Sequence, residues 1–107
     1  EAEAKYLLKR AALDLIGLLP DLKNLDEYSQ DKSANAYEKY IDKLLASPQY
    51  GEKMAIHWLD VSRYSDSYGY QDDNVRSQWP YRDWLIHAFN KNIPYNQFIT
   101  WQLAGDM

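Results

Sequence analysis

The sequence predicts an all-α protein, a small bundle of five or six helices with one long irregular loop at about 65–79. Three observations carry that expectation. Apolar residues recur with a 3.6-residue period, most clearly at 34–45 and 80–89. Pro, Gly and capping residues punctuate those stretches where helices start and stop. No segment alternates polar and apolar residues as a half-buried strand does.

The first helix is expected over 4–16, with Leu7, Leu8, Ala11 and Leu15 on one face and Gly17 ending it. Leu18-Leu19-Pro20 reads as a turn, and Asp21 can cap a short helix through 28. Residues 29–33 form a polar loop. The third helix, over 34–45, turns Ala34, Tyr37, Ile41, Leu44 and Leu45 inward and keeps Glu38, Lys39, Asp42 and Lys43 wet. Ser47-Pro48 then starts a helix to about 64, since Pro suits the first helical position. Tyr50, Met54, Trp58 and Val61 make its stripe, widened by Ala55, Leu59 and Ser62. From 65 to 79 the period is lost and turn formers take over. Such a loop is uncommon in a compact domain and often functional. Pro80 opens another helix, with Tyr81, Trp84, Leu85, Ala88 and Phe89 inward. A final helix follows over 95–104, and Gly105 reads as its cap. Trp58 and Trp84 are expected to be largely buried.

The chain has 107 residues, which predicts a single helical domain over 5–107. Residues 1–4, Glu-Ala-Glu-Ala, read either as the scar of a trimmed yeast secretion leader or as a native helix start. The stop just after a helix predicts a piece of a longer protein. With 12 Lys+Arg against 16 Asp+Glu, the net charge of −4 argues against nucleic-acid binding. No apolar run approaches the length of a membrane span. Zero cysteine excludes disulfides, thiolate metal centres and covalent haem attachment. Aromatic residues make up 15% of the chain, ten of them Tyr and four Trp. Rings with a polar handle suit a core, an interface or a sugar-binding face.

Four constellations invite a chemical reading. His57, Asp60 and Tyr64 would share one side of a helix, where Asp60 can tune His57 as a general base and Arg63 can stabilise charge. The same spacing suits a helix-surface hydrogen bond, with Asp60 pairing with Arg63. His57, Asp60, Asp66, Asp72 and Asp73 match no calcium-loop pattern and there is no H-E-x-x-H, so no metal site is expected. No nucleophile elbow or phosphate loop is present, and no cofactor is expected. Tyr68, Tyr70, Trp79 and Tyr81, with Arg82 beside them, form a platform for stacking sugar rings, or else Trp79-Pro80-Tyr81 closes the core beneath the loop. Finally, Asp60 or Asp66 is expected to meet Arg63 or Arg82 in a mostly buried ion pair.

A longer pattern emerges from these residues in order. Arg10-Ala11-Ala12-Leu13-Asp14-Leu15-Ile16-Gly17-Leu18-Leu19-Pro20 resembles an R-x-x-x-D-L-x-G-L-x-P motif. Tyr37-Glu38-Lys39 with Asp42-Lys43-Leu44-Leu45-Ala46-Ser47-Pro48 resembles Y-E-x-x-x-D-x-L-L-A-S-P. His57-Trp58-Leu59-Asp60, Arg63-Tyr64, Tyr81-Arg82-Asp83-Trp84 and Gln102-Leu103-Ala104-Gly105-Asp106 continue the series. Together they are similar to the planctomycete cytochrome-c-associated domain of unknown function, over nearly the whole chain from Lys5. Met54 stands where that family more often has Trp, and Asn96 where it often has Asp.

The resemblance implies a module of large exported bacterial proteins, periplasmic or at the cell surface. It implies a cytochrome-c-like neighbouring domain as a partner and, in some members, a link to complex polysaccharide. Any haem would belong to that neighbour. The first functional expectation is a non-catalytic helical module that positions neighbouring domains. The alternatives are part of an enzyme site acting on polysaccharide, with His57 and Asp60 as acid/base groups, and carbohydrate binding through the Tyr/Trp loop.

Overall fold

The computed structural model describes residues 3–105. Glu1 and Ala2, part of the scar-or-helix question, and the terminal Asp106 and Met107 lie outside the described residues. The protein is all-α, with six helices covering about 65% of what is described. In order these are α1 (Ala4–Ile16), α2 (Leu22–Gln30), α3 (Ala36–Leu45), α4 (Pro48–Val61), α5 (Trp79–Asn90) and α6 (Tyr95–Leu103). The described residues contain no strand, only an isolated antiparallel bridge between Ser67 and Val75. The chain divides into two compact units, one ending at Lys53 and the other beginning at Met54.

In the first unit α1 ends as the sequence expects. Gly17 takes a left-handed φ of 70°, and its N–H donates to the carbonyls of Ala12 and Leu13. Asp21 caps α2, its carboxylate accepting from the Lys23 N–H at 3.3 Å. The core holds Leu8, Ala11, Ala12, Tyr40 and Leu44, with Leu15, Leu25 and Ile41 against it. Here α3 corrects the expected stripe. It starts at Ala36 rather than 34, and Tyr37 and Leu45 remain 41% and 42% exposed while Tyr40 is buried. Burying Tyr40 is inexpensive because its hydroxyl donates to the Leu8 carbonyl at 3.3 Å. Tyr28 meets its ring edge-on, with centroids 6.5 Å apart.

In the second unit the core is built from Ala55, Leu85, Ala88 and Phe98. The five inward residues expected of α5 all belong to this cluster or pack on it. Trp58 and Trp84, expected to be largely buried, are part-buried and pack around Phe98. The smaller Phe98, whose side chain carries no polar atom, takes the interior. Trp58 meets Phe98 edge-on at 4.9 Å, and Trp84 stacks on it at 5.6 Å. α6 ends at Leu103, and the N–H of Ala104 donates to the Thr100 carbonyl, so Ala104 and not Gly105 is its cap.

Candidate functional site

The end of α4 decides where the first constellation goes. The helix stops at Val61, short of the expected 64. Arg63 adopts a left-handed φ of 55°, its N–H donating to the Asp60 carbonyl while that of Tyr64 donates to the Leu59 carbonyl at 3.0 Å. This is the Schellman closure, with Arg where Gly is usual. Tyr64 therefore leaves the helix face and does not join His57 and Asp60. His57, Asp60 and Arg63 are all exposed. Neither His57 nor Asp60 lines the aromatic cleft described below.

Tyr64 instead donates to the Asp66 carboxylate at 2.6 Å, and that bond holds the phenol above its ordinary pKa. Arg82 approaches the same carboxylate at 3.7 Å and contacts Asp83 at 3.3 Å through Nε. The expected Asp66–Arg82 pair thus exists, but it is not mostly buried. The two side chains are 67% and 39% exposed, because both sit on the rim where the loop meets α5. Water already solvates both charges, so such a pair is worth less than about 1 kcal/mol. Among the described residues Asp60 and Arg63 form no ion pair, and no group of three or more His, Asp or Glu side chains is placed to hold a metal ion.

The loop between α4 and α5 is irregular but not loose. The Tyr68 N–H donates to the Asn74 carbonyl at 3.2 Å, that of Gly69 to the Asp73 carboxylate at 2.8 Å, and that of Arg76 to the Asp66 carbonyl at 2.7 Å. Hydrogen bonds from Ser67 and the Gly69 N–H keep the Asp73 carboxyl below its usual range. Gly69, Gln71 and Asp73 all have positive φ, which lets the chain reverse in so few residues. The Arg76 guanidinium lies over the Tyr68 ring at 4.8 Å. This frame holds Tyr68, Tyr70, Val75 and Trp79 outward, at 66%, 77%, 86% and 54% exposure. Trp79 is no lid over the core; Tyr81, two residues on, turns inward instead.

Tyr81 leads to a group the sequence reading did not bring together. Its hydroxyl donates to Gln102 Oε1 at 2.8 Å, and the Trp58 indole N–H reaches both that hydroxyl, at 3.1 Å, and Gln102 Oε1, at 3.3 Å. Beside this triangle lies an open cleft of about 510 Å³ lined by Tyr81, Trp84, Trp101, Gln102 and Gly105. Trp101 escaped sequence reasoning because α6 has no strong apolar stripe to draw attention to it, and Gln102 entered only as one residue of a motif.

The residues that shape both surfaces fall inside one family match. The family described as PSCyt2, a protein of unknown function (DUF1549), matches residues 1–107. The chain belongs to that family. The PSCyt2 match spans the Schellman closure, the loop and the cleft alike. No curated protein and no solved structure matches the chain. Among the described residues no helix is long and apolar enough to cross a membrane.

Proposed function

We propose that this PSCyt2 domain is a non-catalytic helical module that positions neighbouring domains or partners, and that the loop over 62–78 is the surface it presents. The observation that carries the reading is the combination of a hydrogen-bonded loop frame with four large side chains held in solvent. Ordered Tyr, Ser, Gly and Asn loops give contact area at low entropic cost, because little freedom remains to be lost on binding. The exposed, unconverged placement of His57 and Asp60 supports the non-catalytic part, since a general base needs a site around it. An exported setting and a cytochrome-c-like neighbour belong to the same proposal and rest on the resemblance of the motifs.

A photo-crosslinking amino acid at position 70 of the full-length protein tests this reading. It is expected to capture a second domain or a bound partner, whereas the same group at position 9 on α1 captures neither. Equal capture at both positions, or none at 70, overturns it.

A further inference from the structure

We propose that the cleft between Tyr81, Trp84, Trp101 and Gln102 is a subsite for one uncharged sugar ring. Trp84 and Trp101 meet at 66° with centroids 6.3 Å apart, which makes a corner rather than a flat wall. Tyr81 stacks beside Trp84, its ring nearly parallel at 14° with centroids 6.5 Å apart. A pyranose has a C–H face that stacks on an indole and a rim of hydroxyls that needs hydrogen-bonding partners, and a corner offers both. Gln102 supplies the polar side. Its Oε1 already accepts from Tyr81 and Trp58, so what it offers a ligand is its amide N–H donors. The same bonds hold Gln102 and Tyr81 in place before anything binds, which lowers the entropic cost of association.

Charge narrows the ligand. None of the five lining residues is charged. A sulfated or phosphorylated sugar would lose hydration there and, among the described lining residues, meet no cation. Trp101 is 41% exposed, so its face is open to a ligand. Gly105 forms the rim, where an added Cβ would come within 2.8 Å of the Trp101 carbonyl oxygen, so the chain there has no room for a side chain. The residues lining the subsite lie outside the 62–78 loop, although Tyr64 of that loop packs against Tyr81 with ring centroids 6.4 Å apart.

The test is calorimetric titration of the 107-residue chain with cellohexaose, xylohexaose and mannohexaose, beside a sulfated oligosaccharide and a proline decapeptide. At least one neutral hexasaccharide is expected to bind saturably, with affinity falling about tenfold or more in Trp101→Ala and staying within about twofold in Lys91→Ala, an exposed position outside both the cleft and the loop. Indole N–H shifts of the unaltered chain supply a readout that needs no variant: Trp84 and Trp101 should move on adding the sugar, and Trp79 should not. The proposal is overturned if no neutral hexasaccharide binds, if only the sulfated sugar or the peptide binds, if Trp101→Ala binds as well as the parent, or if Trp79 moves while Trp84 and Trp101 stay still.

Discussion

At the scale of single residues, Phe98 matters most to the second unit. It is buried, it contacts Trp58, Trp84 and Phe89, and nothing polar burdens it. Phe98→Ala should cost about 3–5 kcal/mol, since three rings would border the space left behind. A denaturant titration checks this; a midpoint equal to the parent's would show that the aromatic cluster closes without it. Asp31 makes the opposite kind of prediction. Its carboxylate accepts from the Ser33 N–H at 2.8 Å and from Lys39 Nζ at 2.9 Å, and these bonds, Ser33's foremost, hold its pKa far below the ordinary value. Folding therefore favours the ionised form. The contribution is complete above the unfolded carboxyl's pKa of about 3.9 and is lost progressively as pH falls below it toward the folded value. Melting curves of the parent and Asp31→Asn should differ at pH 7 and converge as pH drops below 4. A gap that widens in acid would refute the assignment.

At the scale of elements, most of the fold could be read from spacing because helices advertise themselves. The caps at Gly17 and Asp21, the start at Pro48 and the inward face of α5 all follow from local chemistry within a turn of the residue concerned. Two of the misreadings share one cause, a local rule with two solutions. In α3 both Tyr37 and Tyr40 satisfy an apolar stripe, and the choice falls to Tyr40 because Leu8, distant in sequence, offers it a carbonyl. At the end of α4 a Schellman closure normally announces itself with Gly, and Arg63 conceals it. The candidate surfaces were legible only in part. The loop was visible as a break in period, whereas the cleft requires α5 and α6 side chains that the motifs name in order but do not bring together in space. Gly17 is the sharpest test at this scale. Gly17→Ala places a Cβ in a left-handed position and 3.2 Å from the Lys53 side chain, so it should cost about 1–2 kcal/mol. Thermal melting checks it, and no change would mean that α1 ends in another geometry.

At the scale of the whole molecule, each unit has a small core of its own character, and the second unit carries the exposed loop and the aromatic cleft. The first core relies on aliphatic residues and one hydrogen-bonded Tyr, the second on packed rings. Helices cover most of the described chain, yet the features that invite a partner lie in the segment between α4 and α5 and beside α6, where side chains stay in solvent at some cost in apolar exposure. On the proposed reading, the domain works by holding a surface in shape rather than by moving protons. The most direct measurement compares two double variants of the full-length protein, Tyr70→Ala with Trp79→Ala and His57→Ala with Asp60→Ala, for assembly with the neighbouring domain or partner and for any turnover the full-length protein supports. The account predicts that the loop variant loses assembly by about tenfold or more and that the α4 variant keeps both assembly and turnover. Intact assembly in the loop variant, with turnover abolished in the α4 variant, would contradict it.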